Sequence, residues 1–345
     1  MKLYIGVDLG TSAVKLLLMD EQGEIKNVVS KEYPLEFPQP GWSQQAPEDW
    51  IKALMEGIPE LLEGFDGASV AGIGCGGQMH GLVILDEEDH VIRPAILWND
   101  GRTAKQVDYL NNDITKEKLS ALTANIAFAG FTAPKVLWVK ENEPENFKRI
   151  HKWLDVKDYL ISRMTGRFTM TRDSAFGTLL YDIRKGHENW SKTICKLLGV
   201  NPAHLPEIVN STDKVGGLTA KAASELGLKE GTAVFGGGGD ASLIGVGAGS
   251  VELYAVGLID AGHIGAVDGI HRPVGQDHPG TGGRGIHILF GGILAFVGFP
   301  AVESKFPDGI PAVLRDKEPP ASQQGRHLPD AGDHRVFRPP HGKPP

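Results

Sequence analysis

A tight glycine turn between short β-rich segments at the start of the chain restricts the fold more than any other feature. Apolar residues fill positions 3–7 and 14–19, and a third β-rich segment covers 24–30. Turn-forming residues separate these segments at 9–12 and 20–23. Segments of this length joined by two short turns form consecutive antiparallel strands. The sequence therefore predicts a three-stranded meander.

Helical and extended segments alternate after this meander. Pro47 opens a segment in which acids come first and apolar residues then recur at helical spacing up to residue 61, as is typical of an amphipathic helix. Further helices are predicted at 155–164, 189–198 and 221–226, and strands at 69–73, 82–85, 95–98 and 233–235. A meander followed by alternating helices and strands indicates α/β architecture.

The bulk composition excludes several classes of protein. The chain has 345 residues and a formal net charge of −8, and its length favours two domains. An acidic chain has no overall attraction for nucleic acid or an anionic membrane, and no stretch reaches the roughly 20 apolar residues of a membrane span. The chain has two cysteines, Cys75 and Cys195. A single disulfide would do little to stabilise a chain this long, so we expect reduced thiols and a cytoplasmic protein.

The first turn carries residues that suit a phosphate. Gly10 lets an anion approach the backbone N–H groups, Thr11 and Ser12 add hydroxyl donors, and Lys15 follows downstream. Asp8 ends the first strand, where its carboxylate can hold a hydrated Mg²⁺. An ordinary hairpin is the alternative, but it would explain the glycine alone. The pattern favours phosphate binding.

Two further segments combine directional polar groups with glycine or an aromatic ring. Gln78, Met79 and His80 lie in a glycine-rich loop after a predicted strand, where amide and imidazole groups can converge on a polyol. A solvent-facing loop with a lone histidine is the alternative. The second segment offers an aromatic face beside hydroxyl-binding groups, in Trp98, Asn99, Asp100 and Arg102. Here the alternative is a core tryptophan next to a surface ion pair.

A run of four glycines at 236–239 ends in Asp240 and precedes a predicted helix. A carboxylate at this point can accept a proton from an attacking hydroxyl in phosphoryl transfer. The positive end of the helix dipole would keep the carboxylate ionised. An aspartate in this place can equally cap the helix. The residues alone leave the two roles open.

Taken in order, these motifs resemble the FGGY family of carbohydrate kinases, and within it the xylulokinases. The resemblance rests on the colinear segments DLGTS, GGQMHG, PAILWNDGR, GFTAPKVLW, KDYL, MTG, DSA and GGGGD. It implies the actin-like ATPase or ribonuclease H-like fold, with a mixed sheet flanked by helices. It covers residues 1–250, which would form a complete N-terminal sugar-binding domain. A chaperone ATPase of the same superfold has no sugar pocket, so the sugar-side motifs argue against that reading.

The resemblance also implies roles and ligands. Asp240 would be the catalytic base, ATP and a ketose the substrates, and Mg²⁺ the metal held by Asp8. The residues implied to bind the sugar are Gln78, Met79, His80, Trp98, Asn99, Asp100 and Arg102. Those implied to face the ATP phosphates are Asp8, Gly10, Thr11, Ser12, Lys15, Gly238 and Gly239. One departure is that Ala241 follows Asp240, where xylulokinases commonly have asparagine, and this bears on which sugar is used.

The pattern of the family is lost after residue 252. The tail at 251–345 holds seven of the twelve histidines and twelve of the twenty-two prolines beyond residue 260, with little apolar periodicity, and is predicted to be poorly ordered. The second phosphate loop and the C-terminal domain of the family are largely missing, as a change of reading frame would explain.

Three functional readings follow from the sequence. The first is phosphorylation of D-xylulose, with weak ATP binding and impaired turnover expected without the second domain. The second is a non-catalytic sugar-binding fragment, or a pseudogene product. The third keeps the kinase activity but replaces D-xylulose with L-xylulose, D-ribulose, gluconate or another polyol. The resemblance also allows a homodimer.

Overall fold

The computed structural model describes residues 1–247. The predicted domain boundary at 250 and the tail at 251–345 therefore lie outside the described residues. The strands are β1 Leu3–Leu9, β2 Ala13–Asp20, β3 Ile25–Glu32, β4 Gln44–Gln45, β5 Val70–Gly77, β6 Val83–Leu85, β7 Ala95–Ile96, β8 Lys152–Leu154, β9 Thr169–Thr171, β10 Tyr181–Asp182, β11 Asn189–Trp190, β12 Glu207–Val209, β13 Lys214–Gly217, β14 Ala233–Phe235 and β15 Gly238–Gly239.

The helices alternate with the later strands. They are α1 Pro47–Leu61, α2 Ala104–Asp108, α3 Lys116–Thr123, α4 Thr132–Asn142, α5 Pro144–Arg149, α6 Val156–Thr165, α7 Arg172–Phe176, α8 Lys192–Leu198, α9 Ala220–Leu226 and α10 Asp240–Gly247. Within residues 1–247, no helix has the length and apolar character needed to cross a membrane.

The three-stranded meander is confirmed. β1 pairs antiparallel with β2, and β2 pairs antiparallel with β3. Asp8 lies opposite Lys15 in this ladder, at the end that leads into the glycine turn. The strands carry a fully buried apolar face because side chains alternate along each strand, and Ile5, Val7 and Leu16 belong to this face.

The meander is one half of a mixed sheet. The strand order is β13-β14-β5-β1-β2-β3, and β15 also pairs with β5. β5 runs parallel to β1, β14 and β15. In this register Asp8 lies beside Gly76, and Gly76 lies beside Gly238. The ends of three neighbouring strands therefore meet at one edge of the sheet.

Helices flank this sheet as expected. α1, α6 and α9 contact one another, α1 packs on β2 and β3, and α6 packs on β5. The α1 segment has a proline in its first turn together with two acids, as its sequence predicts, and its Trp50 is fully buried. A second apolar core forms around Leu110, Trp138 and Leu180.

One predicted helix begins later than expected. The segment at 189–198 is a short strand β11 followed by α8, which starts at Lys192. The Ser191 hydroxyl accepts a hydrogen bond from the Ile194 N–H, which is the geometry of a helix N-cap. Trp190 lies in β11 rather than in the helix, and its indole donates to the Pro206 carbonyl at 2.7 Å. The predicted strand at 95–98 is likewise shorter, at Ala95–Ile96.

Candidate active site

The glycine turn after β1 is fixed by backbone contacts. The Gly10 N–H donates to the Ala13 carbonyl at 3.1 Å, and the Tyr33 hydroxyl donates to the Gly10 carbonyl at 2.5 Å. A side chain on Gly10 would come within 3.0 Å of the Ala13 oxygen. Ser12 is exposed at the tip. The turn thus presents the Ser12 side chain to solvent, while phosphate binding by this turn stays a prediction.

Asp8 and Asp240 both have raised pKa values, and burial is the main cause for each. Burial raises the pKa of Asp8 to about 6; Lys15 opposes this rise and the Asp240 carboxylate adds to it. Burial also raises the pKa of Asp240, against a hydrogen bond from the Ala241 N–H to its Oδ1 at 2.7 Å. The strand register places both residues at one edge of the sheet, since Asp8 lies beside Gly76, Gly76 lies beside Gly238, and Asp240 directly follows β15. Asp240 opens α10 and keeps both of the roles that its sequence left open.

The glycine run before Asp240 fits closely against its neighbours. Gly237 has a φ of +67°, and a side chain there would lie 1.7 Å from the Cys75 carbonyl oxygen. A side chain on Gly239 would overlap the Met79 side chain, with contacts of 2.4 Å. Met79 therefore rests on the loop that leads into Asp240. Cys75 is buried and free.

Two charged side chains that the sequence did not single out hold this loop at both ends. Buried Lys157 donates to the Gly236 carbonyl at 3.3 Å and to Asp158 at 2.5 Å. At the other end, the Gly239 N–H donates to Asp173 at 2.7 Å. Both residues lie in segments that carry the family resemblance, but nothing in their spacing indicates these contacts.

His80 lies in a strained loop at the end of β5. Its φ is +66°, which is uncommon for a residue other than glycine. Its N–H donates to Asp155 at 3.1 Å, and its carbonyl accepts from Lys135 at 2.5 Å. Burial lowers the pKa of the imidazole to about 4, the Lys135 charge adds to this, and Asp173 opposes it. The ring is therefore neutral at neutral pH.

Lys135 and Asp155 form the buried support of this loop, and sequence reasoning missed both. Lys135 is fully buried, and its ammonium joins the carbonyls of His80 and Gly130. Burial lowers the pKa of Lys135 to about 7 and raises that of Asp155 to about 6. The Phe131 ring, next to Gly130, meets the His80 ring edge-on at 4.9 Å. The lysine thus joins two loops whose rings are in contact.

The segment at 98–102 divides into an exposed half and a buried half. Trp98 is 49% exposed, and its indole donates to the Thr11 hydroxyl at 3.0 Å; Asn99 is also exposed. The alternative of a core tryptophan is therefore wrong. Asp100 and Arg102 do pair, at 2.8 Å, but with both side chains fully buried rather than at the surface.

Arg102 belongs to the packing beneath the site. Its guanidinium stacks 3.9 Å over the Trp42 ring, with Trp138 at 5.0 Å, and Asp100 also accepts from the Ser43 N–H at 2.6 Å. These contacts use the pair to fix the chain near Trp98. A direct role of either residue in sugar binding stays a prediction.

Gln78 links the two loops of the site. It is buried, and its amide donates to Gln45 at 3.2 Å and to the Gly10 carbonyl at 3.4 Å. Its oxygen accepts from the Thr11 hydroxyl at 3.5 Å. Gln45 in turn donates to the Thr11 carbonyl at 2.6 Å. Predicted sugar-side and phosphate-side residues therefore share one hydrogen-bond network.

A separate groove of about 670 Å³ lies between α1 and the segment at 89–91, with Tyr159 and Arg163 in its lining. It contains none of the predicted site residues. Asp8, Gly238 and Gly239 instead lie where β1 and β15 end beside β5, and Gln78 directly follows β5.

Comparison with known proteins assigns the chain to a family. The family description "FGGY family of carbohydrate kinases, N-terminal domain" matches residues 3–247. Two similar relatives are the xylulose kinases of Lactococcus lactis subsp. lactis and Bacillus subtilis. The first is 41% identical over 283 residues, 81% of this chain and 55% of the relative. The second is 43% identical over 251 residues, 72% of this chain and 50% of the relative.

A solved structure of a xyloylose kinase from Brucella ovis is 39% identical and superposes with a TM-score of 0.67, covering 71% of this chain and 50% of that one. The chain spans about half the length of the relatives it matches. The mixed sheet flanked by helices is that of the actin-like kinases. On the match over residues 3–247, the chain belongs to the FGGY family of carbohydrate kinases.

Proposed function

We propose that this site phosphorylates D-xylulose, transferring the γ-phosphoryl group of ATP to give D-xylulose 5-phosphate and ADP. The observation that carries the proposal is the strand register that brings Asp8, the start of the His80 loop and the glycine run before Asp240 to one sheet edge. The similarity to xylulose kinases supports this choice of sugar. The two buried, free cysteines favour a cytoplasmic protein, and gel filtration would test the predicted homodimer.

Each residue has a definite part in this reaction. The Asp240 carboxylate accepts the proton of the sugar hydroxyl as its oxygen attacks the γ-phosphorus, and ADP leaves with the bridging oxygen. Burial raises the pKa of Asp240 and so makes it a better proton acceptor. Thr11, Ser12 and Lys15 face the phosphates. The neutral His80 imidazole is suited to exchange hydrogen bonds with a sugar hydroxyl.

The residues fit a divalent cation. Asp8 is a buried carboxylate whose pKa is raised by burial and further by a second carboxylate, Asp240, against the effect of Lys15. Carboxylate oxygens are the ligands that Mg²⁺ prefers. Asp8 would hold the ion, which supplies charge neutralisation of the phosphates when it is bound.

A coupled assay of ADP release by the full chain tests the proposal. D-xylulose should stimulate ADP release above the rate with ATP alone, and Asp240→Asn should abolish the stimulation while calorimetry still detects the sugar. L-xylulose, D-ribulose and gluconate form the comparison panel. Calorimetric binding of D-xylulose without turnover would instead support a non-catalytic sugar-binding protein. Stimulation by another sugar alone would replace D-xylulose as the substrate.

A further inference from the structure

Asp173 reaches the catalytic loop from a different element. It lies in the first turn of α7, and its Oδ2 accepts the Gly239 N–H at 2.7 Å. Gly238 makes this approach feasible, because a side chain there would meet the same oxygen at 3.0 Å. The carboxylate therefore lies directly against the backbone that precedes Asp240.

The second carboxylate oxygen of Asp173 accepts no hydrogen bond from the described residues. Oδ1 is buried and has no hydrogen-bond partner among residues 1–247. A buried carboxylate oxygen without a donor is costly, and native structures rarely leave one without a ligand or another group. Asp173 is thus half satisfied, and its free half is an acceptor.

The surroundings of this oxygen are the proposed sugar side of the site. The Asp173 charge acts on His80, whose own Nδ1 is buried and has no partner in the described part of the chain. The His80 ring lies against Gly177, which directly follows α7; a side chain on Gly177 would overlap it, with contacts of 2.0 Å. The Met79 side chain packs against Gly239, whose N–H donates to Asp173. Two buried polar atoms without a partner therefore belong to Asp173 and to His80, whose ring packs against the residue that follows α7.

We propose that Asp173 binds the sugar: Oδ1 accepts a hydrogen bond from a substrate hydroxyl while Oδ2 holds Gly239. The same carboxylate would then couple occupation of the sugar site to the position of Asp240. This inference rests on the proposed function, since it needs a polyol in the site.

Asp173→Asn separates the two contacts. The amide oxygen of asparagine can still accept from Gly239, so the loop stays anchored. The amide nitrogen replaces Oδ1, and it cannot accept a hydrogen bond. A role limited to holding the loop therefore predicts an unchanged sugar affinity, whereas a ligand role predicts a loss.

Calorimetry of D-xylulose with the full chain provides the test. Asp173→Asn should bind the sugar about 10- to 100-fold more weakly, as expected when a hydrogen bond to a charged acceptor is lost. Its thermal unfolding without sugar should stay within a few degrees of the parent chain. If the asparagine variant does not fold, Asp173→Ser replaces it; because serine removes both contacts, its loss of affinity counts only together with the measurement on deoxy analogues. Asp66→Asn is the control. Asp66 also accepts a hydrogen bond from a backbone N–H, at 2.9 Å, but it lies just before the start of β5, whereas the site lies where β5 ends.

Single-deoxy analogues of D-xylulose sharpen the result. One analogue lacks the hydroxyl from which Asp173 would accept a hydrogen bond. It should bind the parent chain and Asp173→Asn with equal affinity, as expected when the carboxylate and that hydroxyl contact each other directly. Binding of D-xylulose by Asp173→Asn within twofold of the parent would overturn this inference and leave the proposed function intact. If the parent chain bound no sugar, both would fall.

Discussion

The turn at 9–12 and the loop at 78–81 lie at the ends of neighbouring strands, but they are built differently. The turn is closed by a local bond between Gly10 and Ala13 and leaves Ser12 exposed. The loop is held by Lys135 and Asp155, which are more than fifty residues away in sequence and buried.

The difference separates a turn held by neutral groups from a loop held by buried charges. The turn should tolerate changes in its exposed side chains with little loss of stability, because its backbone is held by the Gly10–Ala13 bond and by the neutral side chains of Tyr33, Gln45 and Gln78. The sugar-side half depends on buried charges, which are costly to leave unpaired. The following variants test this contrast, from the largest expected effect to the smallest.

Arg102→Met should cost the most. The substitution keeps much of the side-chain volume but leaves the buried Asp100 carboxylate without its cation, and we expect a loss of about 3–5 kcal/mol in unfolding free energy. Urea unfolding followed by tryptophan fluorescence measures it. Arg149→Met is the matched control, because Arg149 pairs with Asp86 while 54% exposed. A loss below about 1 kcal/mol would show that the pair is not a structural determinant.

Lys135→Met should come next. It leaves the carbonyls of His80 and Gly130 without their shared donor, so we expect a loss of about 2–4 kcal/mol in urea unfolding and weaker D-xylulose binding. The exposed Lys105, which pairs with Glu141, provides the control variant Lys105→Met. If both variants unfold at the same urea concentration, the loop does not depend on this buried charge.

Asp8→Asn should stabilise the chain near neutral pH. Because the folded pKa of Asp8 is raised to about 6, ionisation opposes folding above that pH, and the penalty disappears below the unfolded pKa of about 3.9. The variant should gain about 1–2 kcal/mol at about pH 8 and nothing below about pH 4, as read from paired urea titrations. Added Mg²⁺ should stabilise the parent chain but not the Asp8→Asn variant. A gain that is independent of pH would contradict the electrostatic explanation.

Trp98→Phe should have the smallest effect. Trp98 is 49% exposed and gives up only its N–H bond to Thr11, so unfolding should change by about 1 kcal/mol or less. The contrasting variant is Trp50→Phe, in which a fully buried indole loses its bond to Gln45. Equal losses for the two variants would remove the distinction between the exposed and buried parts of the site.

The sequence predicts the parts of the fold that have local signals. The meander follows from period-two patterns and turn residues, and α1 follows from its proline and helical spacing. The helix predicted at 189–198 begins only at Lys192. Ser191 caps it, and the preceding Trp190 instead donates to the Pro206 carbonyl. Such a contact has no local pattern.

The candidate site shows the same limit. Asp8 and Asp240 can be singled out because each adjoins a glycine turn or run. Lys135, Asp155 and Asp173 cannot, since what defines them is contact with loops that lie far away in sequence. The burial of Asp100 with Arg102 depends likewise on two tryptophans from other segments.

The row formed by Asp8, Gly76 and Gly238 has one further consequence. Neighbouring strands are spaced about 4.8 Å apart, so the sheet acts as a ruler that sets about 10 Å between the outer members of the row. The glycine in the middle strand leaves that interval clear of side chains. Loop sequences around the site can therefore diverge without altering the distance between these strand ends.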